Sequence, residues 1–212
     1  MPAAKKLQKL KTSSSYDVHP SLAMYQSTIA GMKQKTGKSL EEWIALVDKS
    51  GPATEKERRE WLQTKHGLGR NYASFIAEQS VGKGDDGTEE TYLKQADEYV
   101  EKMYSGAKEA LRPIFSDLMA LGRSLGKDVK VCPCQTMVPL YRKHVFAQIK
   151  PTTRTRIDLG LALKDTKVSK RLIDTGGFEK KDRITHRIEI TSPKDIDAEV
   201  KKWIKIAYEM DE

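Results

Sequence analysis

Hydrophobic and polar residues alternate along the stretch from His144 to Leu163. In its second half the apolar members stand two residues apart: Ile157, Leu159, Leu161 and Leu163. The positions that alternate with them are charged or small: Arg154, Arg156, Asp158 and Gly160. Successive side chains of a β-strand point to opposite faces of the sheet, so this pattern predicts two strands joined by a polar turn. One face is suited to a hydrophobic core, and the other presents two arginines.

The N-terminal half has the spacing of short amphipathic helices instead. Apolar residues recur three and four positions apart in four segments between residues 21 and 82, and glycines separate the segments. Ser39 with Glu42 and Thr54 with Glu57 have the spacing of a capping box, which marks the start of a helix. We therefore predict a helical domain over residues 21–82, preceded by a mobile basic tail over residues 1–20.

The C-terminal half combines helices with several short strands. Residues 83–110 are predicted to hold a glycine-rich linker and a connecting helix, and residues 111–212 an α+β domain. In that domain we expect a helix that restarts near Pro113, and then successive strands that favour an antiparallel meander. The segment 164–182 is predicted to be a mobile loop. A last helix is predicted to begin at Ser192 and to place Trp203 on the core. The predicted fold class is α+β, a helical N-terminal domain followed by an antiparallel β-meander flanked by helices.

Positive charge is concentrated rather than evenly spread. The formal net charge is +8, and residues 111–192 contain 17 lysines and arginines against 8 aspartates and glutamates. Such an excess permits an anionic partner, although net charge does not locate a site. The two cysteines, Cys132 and Cys134, do not make a disulfide framework, and no apolar run has the length of a membrane span. We expect a cytoplasmic protein without membrane association.

Several segments resemble a family of uncharacterised bacterial two-domain proteins. Its members pair a small helical domain of unknown function with a C-terminal α+β domain sometimes labelled "predicted transport protein". The matching segments are residues 35–43 (KTGKSLEEW), 61–73 (WLQTKHGLGRNYA), 110–114 (ALRPI), 150–163 (KPTTRTRIDLGLAL), 185–191 (THRIEIT) and 196–208 (IDAEVKKWIKIAY). The chain departs from the family pattern at Cys134 and Gln135, where lysines are usual, at Arg70, where histidine is usual, and at Ser74, where asparagine is usual. The resemblance implies the two-domain fold and no particular activity.

The leading candidate site is a basic face of the predicted sheet. If the strands are neighbours, five cations gather on one surface that is able to hold phosphates: Arg154, Arg156, Arg183, Arg187 and Lys130. The alternative is a solvated face on which Asp158 and Glu189 neutralise arginines in cross-strand pairs.

A second candidate lies in the helical half. His66, Arg70 and Asn71 flank a short glycine turn between two predicted helices, in the outline of a helix-turn-helix motif. The alternative is a plain helical hairpin, because the segment lacks a basic flank.

No motif indicates catalysis, a metal or a cofactor. Cys132 and Cys134 are too close in sequence for a usual zinc site with His144 and His186, and the only Glu-x-Lys sequence lies in the predicted loop. Hydrolase activity is a third alternative, although no sequence motif indicates it. We therefore expect a non-enzymatic binding module for nucleic acid or another anionic ligand. The alternative function is that of a protein–protein interaction or scaffold protein that does not bind nucleic acid.

Overall fold

The computed structural model describes residues 14–82 and 88–212. Most of the predicted tail, residues 1–13, and the centre of the predicted linker, residues 83–87, lie outside the described residues. The chain forms two compact units. One is the helical unit, Pro20–Tyr92; the other is the α/β unit, which combines the described residues up to His19 with Leu93–Glu212. None of the described helices is both long enough and apolar enough to span a membrane.

The described residues of the helical unit contain four α-helices: α1 (Ser21–Thr36), α2 (Leu40–Ser50), α3 (Glu55–His66) and α4 (Arg70–Ser80). Both predicted capping boxes are confirmed. The Ser39 hydroxyl accepts from the Glu42 backbone N–H and the Thr54 hydroxyl from that of Glu57, and each glutamate accepts from the capping residue's own N–H. The helices enclose a small core, in which the fully buried side chains include Met32, Val47, Leu62 and Ile76.

In its described residues the α/β unit contains a six-stranded antiparallel sheet and three α-helices. The helices are α5 (Glu89–Met103), most of which belongs to this unit, α6 (Arg112–Ser124) and α7 (Ala198–Glu209). The strands are β1 (Lys130–Val131), β2 (Val138–Tyr141), β3 (Val145–Pro151), β4 (Ile157–Leu161), β5 (Ile173–Asp174) and β6 (His186–Ile190). Their spatial order is β1-β2-β3-β4-β6-β5, and the described part of the chain confirms the predicted α+β class.

The side chains of β4 alternate between the core face and the opposite face of the sheet, as the sequence predicted. Ile157, Leu159 and Leu161 are fully buried and share one core with residues of α6 and α7. The residues between them lie on the other face, where Asp158 is opposite Lys150 of β3 and Glu189 of β6. We call this second surface the charged face.

Two predictions for the C-terminal region were wrong. The segment 164–182 contains strand β5, which pairs with β6, because a two-residue strand is too short to leave a periodic pattern. The last helix does not begin at Ser192. The Ser192–Asp195 capping box closes a separate 3-10 turn, Pro193–Asp195, and Asp197 caps α7 by accepting from two backbone N–H groups.

Residues 14–19 contact the edge of the sheet. The Asp17 N–H donates to the Val131 carbonyl at 2.8 Å, and the Asp17 carboxylate accepts from the Val131 N–H at 2.8 Å. Arg123 pairs with the same carboxylate at 2.9 Å, and the Tyr141 hydroxyl lies 2.9 Å from His19 Nε2. This segment therefore covers backbone groups of β1 that an edge strand otherwise exposes.

Candidate anion-binding site

Two of the predicted arginines meet two carboxylates on the charged face. Arg156 Nε lies 2.9 Å from Asp158 Oδ1, and Arg156 Nη1 lies 2.9 Å from Glu189 Oε1. Arg187 Nη1 lies 3.0 Å from Asp158 Oδ2 and 3.0 Å from Glu189 Oε1. We call these four residues the arginine–carboxylate quartet. Each arginine contacts both carboxylates, so the two positive charges are matched by two negative charges.

The other members of the predicted basic face lie apart from the quartet. Arg183 precedes β6; its Nε donates to the Val145 carbonyl at 2.9 Å, and its guanidinium pairs with Asp211. Lys130 is exposed on the edge strand β1, opposite Tyr141 and three strands from β4. Arg154 is exposed in the turn before β4 rather than on the strand itself. The structure thus brings Arg156 and Arg187 together and leaves the other three in separate surroundings.

Arg154 lines a cleft of about 680 Å³ that the sequence did not predict. We call it the basic cleft. Its lining residues come from the end of α5, the region of the following 3-10 segment (Gly106–Leu111), the β1–β2 connection, the end of β3 and the β3–β4 turn. They are Lys102, Met103, Ser105, Ala107, Lys108, Gln135, Thr136, Lys150, Pro151, Thr152 and Arg154. Four of these described residues are cationic and none is acidic.

Local contacts explain how the cleft keeps its charge. The Lys108 ammonium donates to the Pro151 carbonyl at 2.5 Å, which joins the 3-10 segment to the end of β3. Lys150 stands opposite Asp158 in the sheet, but that carboxylate is already engaged by both quartet arginines and by the Thr152 hydroxyl at 2.8 Å. Within the described chain, Lys102, Lys150 and Arg154 form no ion pair, so their charges are available to a ligand.

Sequence reasoning identified one of these four cations. Lys150 and Arg154 belong to one basic turn, KPTTR, and that turn was a usable indication. Lys102 and Lys108 are more than forty residues earlier in the chain. Only the packing of α5 and the 3-10 segment at the end of β3 brings them to the turn.

The helical candidates occupy two kinds of environment. Arg70 and Asn71 begin α4 and are exposed. His66 instead packs edge-on against two indole rings, at ring distances of 5.5 Å to Trp43 and 4.3 Å to Trp61. Burial, with the charges of nearby lysines, lowers the pKa of His66. His66 is therefore held among aromatic side chains rather than presented to a ligand.

The cysteines and histidines that were weighed as metal ligands have other contacts. Burial raises the pKa of the Cys132 thiol to about 12 and raises that of Cys134 as well. His144 Nδ1 lies 3.0 Å from Asp211, and His186 lies between the Thr185 hydroxyl and the Thr166 carbonyl. In the two described ranges, no group of three or more His, Cys, Asp or Glu side chains is arranged to hold a metal ion.

Comparison with known proteins gives a family for each half of the chain. The family described as "Domain of unknown function (DUF4287)" matches residues 24–80, and that described as "Domain of unknown function (DUF5655)" matches residues 100–211. Searches of curated proteins and of solved structures found no significant match. The DUF5655 match covers more than half of the chain and contains the sheet, the quartet and the basic cleft. The chain therefore belongs to the DUF5655 family, and its N-terminal half is similar to the DUF4287 family.

Proposed function

We propose that this protein is a non-enzymatic binding module that holds a phosphate-bearing polyanion, with nucleic acid the first candidate, in the basic cleft. The observation that carries the proposal is the lining of the cleft, where four cations meet and no described lining residue is acidic. Lysine and arginine side chains in this arrangement attract phosphate oxygens and release the counterions condensed on a nucleic acid. A concave surface of one sign also concentrates the field on the ligand.

The lining supports contact with phosphates rather than with bases. Among the described residues of the cleft none is aromatic, so stacking of unpaired bases is not supported. Phosphate contacts position a nucleic acid without reading its sequence. The proposed binding is therefore salt-dependent and shows little sequence preference.

The quartet is a weaker candidate for the same role. Its two arginines already contact two carboxylates, and a phosphate would have to displace or oppose these groups. The proposal accordingly shifts from Arg156 and Arg187 to Lys150 and Arg154. Because Cys132 and Cys134 are free thiols, the proposal also places the protein in a reducing compartment, the cytoplasm.

Salt-dependent binding tests the proposal. Fluorescence anisotropy with a labelled duplex and a labelled single strand should give an affinity that falls steeply as salt rises. The double variant Lys150→Ala/Arg154→Ala should reduce the log–log slope on duplex DNA by up to about two units, since each phosphate contact contributes about 0.9. The double variant Lys194→Ala/Lys201→Ala removes the same charge from exposed positions outside the cleft and serves as the matched control.

The basic tail needs its own control. Lys5, Lys6 and Lys9 can bind nucleic acid nonspecifically, so the titrations should be repeated on a protein that begins at Ser14. Truncation at Ser14 retains the contacts of Asp17 and His19 with the sheet. Binding lost with the tail, or equal effects of the two double variants, would remove the cleft from the proposal. Absence of binding at low salt would favour the protein-interaction alternative.

A further inference from the structure

A second cavity, of about 560 Å³, lies at the other end of β4 from the basic cleft and shares no lining residue with it. We call it the Phe178 pocket. Of its lining residues, Ala162 and Thr185 are buried and Met210 is partly buried. Its volume is in the range of small-molecule sites, and its base is largely apolar.

Phe178 lines this pocket and is 53% exposed, so its ring is open to contact with a ligand. The segment that carries it is tightly turned, because the Lys181 N–H donates to the Phe178 carbonyl at 3.1 Å and the Asp182 N–H to the Gly177 carbonyl at 2.8 Å. A Cβ atom on Gly177 would lie 2.3 Å from the Ile184 carbonyl oxygen, so glycine is required at this position. The backbone therefore holds the ring at the pocket rather than leaving it on a loose loop.

The pocket offers unpaired charges of both signs. Lys164 and Lys181 line it, as do Glu179 and Asp182, and none of these four makes an ion pair with another described residue. The fifth charged lining residue, Arg183, is held in place by contacts within the protein. Its guanidinium pairs with Asp211, a carboxylate that is only 2% exposed, so its orientation is set before any ligand arrives.

Backbone conformation singles out the same pocket. Lys164 has φ 54° and Lys181 has φ 60°; among residues 14–82 and 88–212 they are the only non-glycine residues with positive φ. Both line the Phe178 pocket. Left-handed conformations cost free energy in residues that have a Cβ atom, and they concentrate at ligand sites.

We propose that the Phe178 pocket binds a small zwitterion with an apolar body, namely a free apolar amino acid or a dipeptide. The ligand carboxylate meets Lys164, Lys181 and Arg183, its ammonium group meets the rim carboxylates, and its side chain packs against Phe178. A polyanion is disfavoured here because Glu179 and Asp182 repel it. The proposal is thus independent of the function proposed for the basic cleft, and each can fail without the other.

Titrations of the ¹⁵N-labelled full-length protein, followed by amide chemical shifts, test this site. L-leucine and the dipeptide Leu-Leu are the probes, and they should shift the amides of Lys164, Phe178 and Thr185. N-acetyl-L-leucine lacks the ammonium group and L-leucinamide lacks the carboxylate. Each should bind at least about tenfold more weakly than L-leucine, since each leaves charged groups of the pocket without a partner. Tighter binding of Leu-Leu than of L-leucine identifies a peptide ligand, and the reverse order a free amino acid.

Matched variants locate the binding. Phe178→Ala should weaken binding, whereas Val168→Ala, at another exposed apolar residue of the same segment, should not. Lys181→Gly removes a cation of the pocket and should weaken binding; glycine accepts the positive φ, so the loop keeps its shape. Lys170→Ala removes an exposed cation outside the pocket and should not weaken binding. If no probe shifts any amide at concentrations up to about 10 mM, the proposal is overturned, because it requires a dissociation constant below about 10 mM. Equal affinity for L-leucine and N-acetyl-L-leucine would also overturn it.

Discussion

The guanidinium of Arg156, the residue that precedes β4, lies 2.9 Å from the carboxylate of Glu189 in β6. Alternation places Arg156 on the face of the sheet opposite the core, and sheet pairing then supplies a carboxylate from a strand that is about thirty residues away in sequence. An arginine that is solvent-facing by pattern is therefore engaged in the folded protein, and its loss has a different consequence from the loss of Arg154.

Arg156→Ala should lower the stability of the protein, whereas Arg154→Ala should leave it nearly unchanged. Loss of Arg156 leaves Asp158, whose side chain is 14% exposed, and Glu189 sharing one arginine, which should lower the free energy of unfolding by about 1–2 kcal/mol. Arg154 has no such partner in the described chain, so its replacement should change stability by no more than about 0.5 kcal/mol. Urea denaturation measures both. Equal stability of the two variants would show that the quartet contributes nothing measurable.

Asp211 should be important for stability although it lies outside the helices and strands, after the end of α7. Its carboxylate accepts from the His144 N–H at 2.8 Å, lies 3.0 Å from His144 Nδ1 and pairs with Arg183. Asp211→Asn should lower the free energy of unfolding by about 1.5–3 kcal/mol, the range for hydrogen bonds that involve a charged group. Glu212→Gln, at the exposed next residue, is the control. An unchanged urea midpoint for Asp211→Asn would contradict the role of this carboxylate.

The core face of α7 refines the prediction made from periodicity, because Trp203 packs against the core as predicted but is only partly buried. The helix buries Val200, Ile204 and Ala207, whereas Trp203 is only partly buried, with the Lys202 ammonium 5.3 Å from its ring centroid. Ile204→Ala should therefore cost about 2–5 kcal/mol, the range for emptying a core site. Trp203→Ala should cost less, because its ring keeps part of its contact with water in the folded state. A larger effect for Trp203 in urea denaturation would place the tryptophan, and not Ile204, at the centre of this contact.

His19 should make the α/β unit less stable at mildly acidic pH. Burial lowers its pKa from the ordinary value of 6.5, so the folded protein favours the neutral ring beside the Tyr141 hydroxyl. Above pH 6.5 the ring is neutral in both folded and unfolded chains. Below it the unfolded chain takes up the proton first, and stability falls until the pH passes the lower, folded pKa.

Hydrogen exchange of the sheet amides measures this effect. His19→Gln should flatten the loss of protection as the pH falls below about 6.5, while keeping a polar group near Tyr141. His66→Gln is the control, because His66 also has a lowered pKa but belongs to the helical unit. An equal pH dependence in the His19 variant and the parent protein would contradict the argument.

Much of the fold was accessible from the sequence because its determinants are local. The capping boxes at Ser39 and Thr54 are complete within four residues, and the alternation in β4 needs only five. The predictions failed where the local pattern was too short to be read or capped a different element. Strand β5 is two residues long, and the Ser192 capping box closes a 3-10 turn that ends before α7 begins.

By itself the sequence determined the α+β class, the four N-terminal helices, the buried side of β4 and the concentration of positive charge in residues 111–192. Only the tertiary structure decided which charges remain available. Asp158 and Glu189 engage Arg156 and Arg187, and Asp211 engages Arg183, whereas Lys102 and Lys108 join Lys150 and Arg154 without a described carboxylate in the same cleft. The physical reason is that periodicity and capping depend on neighbours in sequence. An ion pair requires two charged groups within a few ångströms of each other, and so depends on which distant segments pack together.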